Sequence, residues 1–148
     1  MKAISLWQPW ATAIVCGAKK IETRSWSTKV IGKVAIHAAK KWNDECASAY
    51  GYLTDREKFC ALLPRDDNYD LLPLPFGAII GTAEIIACSP TETIIDKISP
   101  LEMALGNYSD GRFGWLLKNA VRFKEPIPYK GMQGFFNVEI PQSNGGAL

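Results

Sequence analysis

The side chains best able to do chemistry lie close together in the segment GAKKIETRSW, residues 17–26. Glu22 and Arg24 are two residues apart, so on a β-strand both side chains would project from the same face. A guanidinium can donate paired hydrogen bonds to a phosphate or a base edge. A carboxylate can accept from an exocyclic amine or act as a general base. On spacing alone a structural ion pair between Glu22 and Arg24 is the commoner explanation, and a site for an anionic, flat ligand is the alternative.

Two tryptophans and a glutamine precede this segment. Trp7 and Trp10 are three residues apart and could share one helical face, as core residues often do. Trp7 precedes the predicted helix, so it is the better candidate for a platform on which a base stacks, an interaction worth about 1–3 kcal/mol. Gln8, beside it, is a candidate for reading a base edge through its amide.

Basic residues are concentrated at the start of the chain. The 148 residues have a net charge of +2. Residues 1–42 have eight Lys and Arg against one Glu (+7), residues 43–110 have four against twelve acidic residues (−8), and residues 111–148 have five against two (+3). A basic segment of this kind can present a positive face to phosphate groups. An ordinary solvated surface is the alternative, as is a protein-interaction role for the acidic middle segment.

Length and composition narrow the class of protein. A chain of 148 residues with 47% apolar content predicts one domain with its own core. The four cysteines form no metal-binding spacing and there is one histidine, so neither a metal nor another cofactor is expected. We find no signal-peptide pattern and no apolar run of the roughly 18 residues that a membrane span needs. Scattered cysteines suit a reducing compartment, and the predicted location is cytoplasmic.

The pattern of apolar and turn-forming residues predicts an α+β domain over residues 1–140, followed by a flexible tail at 141–148. The predicted strands are KAISL, KIETRSW, GKVAIHAA, GAIIGTAEIIAC, GRFGWLLKNAVRFK and GMQGFFNVEI. Short helices are predicted between Pro9 and Gly17, from Asn43 to Tyr50, from Thr54 to about Leu62, and after Ser99. Residues 64–76, rich in proline and aspartate, predict a loop. Strands with short helices inserted between them indicate a small β-barrel.

Five blocks of the sequence, in this order, resemble the ASCH domain, a family of PUA-like β-barrels: SLWQPWATAIVCGAKKIETRSW, GKVAIHAAK, GAIIGTAEII, GRFGWLL and PIPYKGMQGFF. The family's G-x-K-x-x-E-x-R motif stands here as Gly17, Lys19, Glu22 and Arg24. The resemblance covers the chain to about Ile140. It implies a PUA-like barrel and a cleft beside it, lined by the motif, that binds nucleic acid, mainly RNA.

The resemblance extends the candidate site beyond the motif. His37 and Lys40 lie in the matching block IHAAK and are predicted to contact a phosphate or a base. Arg112 precedes Phe113 and would lie on the opposite strand face from it, so Arg112 is the better ligand candidate of the two. The predicted nucleic-acid-binding residues are therefore Trp7, Gln8, Gly17, Lys19, Glu22, Arg24, His37, Lys40 and Arg112. The predicted partner is RNA, another single-stranded nucleic acid or a nucleotide.

The resemblance also implies an alternative function, that of a hydrolase. A compact branch of ASCH-like proteins is similar to amidohydrolases that remove the acetyl group from N4-acetylcytidine by means of a lysine, a threonine and a glutamate. Lys19 matches that lysine, but Glu22 stands where the threonine would be, so the hydroxyl nucleophile is missing. The alternative function is a metal-independent hydrolase of a nucleobase or of RNA, with Lys19 and Glu22 as the acid/base pair. Glu102, the expected capping-box partner of Ser99, is also the nearest candidate for a second acid reaching the cleft.

Overall fold

The computed structural model describes residues 1–55 and 63–141. Six strands form one sheet: β1 (Lys2–Leu6), β2 (Ile21–Arg24), β3 (Gly32–Ala38), β4 (Ala78–Pro90), β5 (Phe113–Pro128) and β6 (Phe135–Asn137). Short helices are inserted between them: α1 (Trp10–Val15), α2 (Asp44–Leu53), α3 (Thr91–Ile94), a 3₁₀ turn (Ile95–Lys97) and α4 (Pro100–Leu105). The α+β class predicted from the sequence is confirmed.

The sheet is mixed and strongly curled. Its strand order is β2-β5-β4-β3-β1-β6, in which β1 runs parallel to β3 and the other neighbours are antiparallel. Trp115 of β5 stacks on Phe135 of β6 with ring centroids 5.4 Å apart, although three strands separate β5 from β6 in the sheet. Register shifts interrupt the β3–β4 and β4–β5 pairings, and bulges of this kind increase strand bending. The sheet therefore curls into a half-barrel, as expected for a PUA-like fold.

The concave side of the half-barrel contains the main core. Helix α1 packs there: residues 11–15 are all buried, and Ile14 and Val15 join a cluster with Ile36 of β3 and Trp115 of β5. A helix of six residues has little stability alone, so this packing must hold it in place. Gly81 permits the close approach, because a Cβ there would lie 2.8 Å from Val15 Cγ1 and 2.1 Å from a backbone carbonyl oxygen.

Several helix ends lie where the sequence predicts them, and others lie at different residues. Gly17 follows α1 with φ +79°, the left-handed conformation that favours glycine after a helix. Asn43 caps α2, since its side chain accepts from the Cys46 amide at 3.0 Å. Helix α2 continues to Leu53, beyond the expected end, and Thr54 is its C-cap. The helix predicted from Thr54 to about Leu62 lies, beyond Asp55, outside the described residues, as does the tail from residue 142.

Candidate nucleic-acid interface

A cleft of about 670 Å³ opens beside the half-barrel. The end of β1 with Trp7 and Trp10, together with β2, forms one wall. Helix α2 forms another, through side chains spaced three or four residues apart on one helical face at positions 45, 48, 49 and 52. Residues 104–107, at and after the end of α4, and Arg112 complete the boundary. Glu22 and Arg24, which the sequence analysis singled out, thus lie in the wall of an open cleft.

Glu22 and Arg24 form an ion pair inside this cleft. Glu22 Oε2 accepts from Arg24 Nε at 3.1 Å and lies 3.1 Å from Arg24 Nη2. Their side chains retain 13% and 24% exposure, respectively, so the pair is partly desolvated but still accessible. Arg24 Nη2 also donates to the backbone carbonyl of Ser5 at 3.0 Å, and the guanidinium lies 5.8 Å from the ring centroid of Trp115. Within the described residues Arg24 Nη1 makes no hydrogen bond, so it can donate to a ligand.

A second guanidinium, that of Arg112 just before β5, also lines the cleft. Arg112 Nε donates to the carbonyl of Asn107 at 3.1 Å, and its Nη2 donates to the carbonyl of Thr23 at 3.3 Å. Thr23 Oγ1 in turn accepts from the Asn107 amide at 3.0 Å. These bonds tie the strand β2 to the segment after α4, so both arginines of the cleft are oriented by backbone carbonyls before any ligand binds.

Trp7 supplies the aromatic surface of the cleft. It keeps 36% of its surface exposed, and Lys41 Nζ lies 4.2 Å from its ring centroid, within range of a cation–π interaction. Trp10, which could have shared a core face with Trp7, is only half-buried and also lines the cleft. The sequence did not single out Lys41, because nothing in the run Lys40–Lys41 indicates which lysine faces the tryptophan.

Among the described residues that line the cleft, the charges balance: Arg24 and Arg112 oppose Glu22 and Glu45, and the remaining side chains are aromatic, aliphatic, small or neutral polar. A surface of this kind suits a flat, uncharged group with several donors and acceptors better than a bare phosphate. A nucleobase has this chemistry.

Lys19, predicted as a phosphate contact, is buried and does not line the cleft. It is 1% exposed, and its Nζ donates to the carbonyls of Ile21 and Leu105, the latter at 3.1 Å. Glu22 Oε1 lies 3.9 Å away. Burial lowers the pKa of Lys19, and the nearby carboxylates of Glu22 and Glu102 counteract part of this change. The amine therefore joins the start of β2 to the end of α4, and it contacts two residues that line the cleft, Glu22 and Leu105.

Gln8 and Gly17 also have structural roles. Gln8 is fully buried: its Nε2 donates to Thr12 Oγ1 at 2.7 Å and to the Pro75 carbonyl at 2.9 Å, while its Oε1 accepts from the Thr12 amide. Both protons of Nε2 are engaged and the side chain is buried away from the cleft, so it is not placed to make the predicted base contact. Gly17 ends α1 and lies outside the cleft lining.

His37 and Lys40 lie away from the cleft as well. His37 is 2% exposed; its Nδ1 is 2.8 Å from Ser5 Oγ and its Nε2 is 2.7 Å from the carbonyl of Tyr129. Nε2 donates to the Tyr129 carbonyl, and Nδ1 shares a hydrogen bond with the Ser5 hydroxyl, so both ring nitrogens are engaged. Lys40 is exposed, and its methylene groups pass over Gly77, where a Cβ would lie 2.6 Å from Lys40 Cε. Neither side chain lines the cleft, so the predicted direct contacts have no support in this geometry.

Glu102 is buried beneath the same region. Ser99 Oγ accepts from its amide at 3.2 Å, as the predicted cap requires, and Glu102 Oε2 accepts from the Lys20 amide at 2.7 Å. Its Oε1 and the hydroxyl of Tyr108 are buried without a hydrogen-bond partner among the described residues. Burial raises the pKa of Tyr108, so its phenol stays neutral. Glu102 does not line the cleft.

Within residues 1–55 and 63–141, no group of three His, Cys, Asp or Glu side chains is placed to hold a metal ion. In the same ranges no helix is long and apolar enough to cross a membrane.

A curled mixed sheet with a cleft beside its β2 edge defines a PUA-like domain, and similarity to known proteins identifies the family. The ASCH domain matches residues 4–127, so this chain belongs to the ASCH domain family. The crystal structure of ASCH from Zymomonas mobilis has the same fold, with a TM-score of 0.55 and 16% identity over 93% of this chain and 87% of that one.

Curated relatives are similar to this chain over a limited part of their length. Activating signal cointegrator 1 of Homo sapiens is 28% identical over 133 residues, and its Mus musculus counterpart is 26% identical over the same length. These matches cover 86% of this chain but 20% of each relative. The chain therefore spans about a fifth of the length of these relatives.

Proposed function

We propose that this protein binds single-stranded RNA and seats one unstacked base in the cleft. The observation that carries the proposal is the Glu22–Arg24 pair beside the exposed Trp7 ring: a donor group, an acceptor group and a stacking surface border one charge-balanced cleft. Single-stranded RNA is typically recognised through splayed bases that stack on aromatic side chains and hydrogen-bond through their edges. Membership of the ASCH family supports the same proposal.

Each wall of the cleft has a role in this proposal. Trp7 stacks on the base, and Lys41, whose Nζ lies 4.2 Å from the Trp7 ring centroid, adds positive charge beside it. Glu22 accepts from an exocyclic amine while holding Arg24, whose free Nη1 donates to the base or to its phosphate. Arg112 supplies a second oriented cation across the cleft.

A hydrolase that uses Lys19 and Glu22 is the alternative. Lys19 has the lowered pKa and the carboxylate neighbour that such a role needs, and perturbed groups of this kind are common at active sites. Its amine, however, is buried and donates to two backbone carbonyls, and Glu22 is held by Arg24. These contacts favour binding over turnover.

The test measures binding and turnover separately. A fluorescein-labelled single-stranded RNA decamer is titrated with the protein by fluorescence anisotropy, from low to physiological salt. The cations expected near phosphate are Arg24, Arg112 and Lys41. If two or three of them contact phosphate, a plot of the logarithm of the association constant against the logarithm of the salt concentration should have a slope of roughly −1.4 to −2.1. The predicted contributions of Lys19 and Lys40 would make the slope steeper. Absence of binding at low salt would overturn the proposal.

The turnover arm incubates the protein with N4-acetylcytidine and with the same RNA, and follows deacetylation and cleavage by chromatography. We expect retention of the RNA without product. Sustained product formation that disappears in Glu22→Gln would support the hydrolase instead.

A further inference from the structure

A second recess adjoins the cleft and shares part of its wall. This side recess has a volume of about 420 Å³, and its lining includes Ser5, Trp7, Arg24, Trp26, Met132 and Gln133. The first three of these also line the cleft. Volumes of roughly 300–1,000 Å³ are typical of sites for small ligands. Trp7 and Arg24 therefore stand at a boundary between two neighbouring spaces, each large enough for one nucleotide.

The side recess differs from the cleft in charge. Among the described residues that line it, Arg24 is the one charged side chain and none is acidic, whereas Glu22 and Glu45 line the cleft. A negatively charged group is therefore accepted more readily in the side recess or at its boundary than inside the cleft. The unpaired Nη1 of Arg24 supplies a donor at that boundary.

The side recess also offers a stacking surface. Trp26 is 36% exposed, and its ring is held edge-on against Trp115 at 4.7 Å and Phe135 at 5.8 Å between centroids. A ring fixed in this way loses little conformational entropy when a base stacks on it. Met132 is 62% exposed, so its thioether can pack on an inserted ring.

The loop that carries Met132 is anchored by His37. The Nε2 atom of His37 bonds to the carbonyl of Tyr129 at 2.7 Å, and Gly131 packs so closely that a Cβ there would lie 2.6 Å from His37 Cε1. Ser5, which lines both spaces, bonds to Nδ1 of the same ring at 2.8 Å. His37 thus positions the outer wall of the side recess, although it touches neither space itself.

We propose that the side recess binds the nucleotide adjacent to the one whose base occupies the cleft, with Arg24 at the phosphate that links them. The inference rests on the proposed function, since it requires a base in the cleft. In this arrangement the domain recognises a dinucleotide step: one base between Trp7 and Arg112, and its neighbour against Trp26 and Met132.

The first test places a negative charge in the side recess. Met132→Glu should weaken binding of the fluorescein-labelled RNA decamer by about tenfold or more, because stacking on this surface is lost and the new carboxylate repels phosphate. Met103→Glu is the matched control: Met103 is 44% exposed on α4 and lines neither space, so its affinity should change less than twofold. Equal affinities of the two variants would overturn the inference.

The second test reads each space directly. Indole Nε1–H resonances are followed by NMR during titration with a nucleoside monophosphate and then with the dinucleotide ApA, and the Trp26 signal is assigned from Trp26→Phe. We expect both ligands to shift Trp7 and only the dinucleotide to shift Trp26. A dinucleotide that shifts Trp7 and leaves Trp26 unchanged would overturn the inference but leave the proposed function intact. If neither ligand shifts Trp7 and wild type fails to bind the decamer, the proposed function fails as well.

Discussion

Glu22 holds Arg24 by two contacts of 3.1 Å, from its Oε2 to Arg24 Nε and Nη2, at the edge of an open cleft. The two explanations considered for this pair from the sequence are therefore compatible. The ion pair is structural in that it fixes the guanidinium, and it is accessible in that both side chains remain partly exposed. An arginine oriented in advance loses less side-chain entropy when it binds a ligand.

Arg24→Ala should weaken binding of the RNA decamer by roughly 1–3 kcal/mol, because a pre-oriented guanidinium is lost from the cleft. Fluorescence anisotropy measures the change, and thermal unfolding checks that the fold survives. Arg122→Ala removes the same charge from an exposed position of β5 that lines neither space. Comparable losses in both variants would show that total charge, and not the position of Arg24, determines affinity.

Trp7→Ala should weaken the same interaction by about 1–3 kcal/mol through loss of base stacking. The matched control is Trp42→Ala, since Trp42 is 43% exposed and packs against Tyr50 and Phe76 outside both spaces. Anisotropy titrations of the two variants measure the difference. If the Trp7 variant unfolds at the assay temperature while the Trp42 variant does not, the ring is chiefly structural.

Glu22→Gln should lower RNA affinity by no more than about tenfold, or 1.4 kcal/mol, because the amide keeps the shape and part of the hydrogen bonding. If Glu22 were a general base, the same change would lower turnover by roughly 10²–10⁴ with binding nearly unchanged. Titration and product analysis on one preparation separate the two outcomes. Glu139→Gln, at an exposed position outside the cleft, is the control.

Lys19→Met should lower the free energy of unfolding by about 1–3 kcal/mol, because the carbonyls of Ile21 and Leu105 lose their partner. Chemical denaturation measures the change. Lys20→Met, at the exposed neighbouring position, should have a much smaller effect. Similar losses in both variants would mean that the two hydrogen bonds of Lys19 contribute little to stability.

The same variant tests the pKa of Lys19. Burial lowers its folded-state pKa below the ordinary value of 10.5, so between these two values the unfolded chain binds a proton that the folded chain does not. Stability attributable to Lys19 should therefore rise with pH in the alkaline range below 10.5 and stay constant at lower pH. The difference in unfolding free energy between wild type and Lys19→Met, measured across that range, should grow with pH. A constant difference would contradict the lowered pKa.

The fold class followed from local signals in the sequence. Strand patterns, the Asn43 and Ser99 caps and the glycine after α1 are all decided by interactions within a few residues, so they could be identified without knowledge of the tertiary structure. The same holds for the alternation that put Glu22 and Arg24 on one face of a strand, because side-chain direction on a strand depends on the backbone alone.

Access to the cleft was decided by the tertiary structure. Lys19 and Arg24 belong to one motif, but the end of α4 covers Lys19, whereas the open side of the half-barrel leaves Arg24 partly exposed. Likewise, Tyr129 and Ser5 engage both nitrogens of His37, and the Pro75 carbonyl accepts a hydrogen bond from the Gln8 amide. Contacts between residues 32 to 92 positions apart in the chain determine these outcomes. Residue type and local periodicity fix which chemical group a position carries, and only packing between distant segments determines whether that group meets solvent or the protein interior.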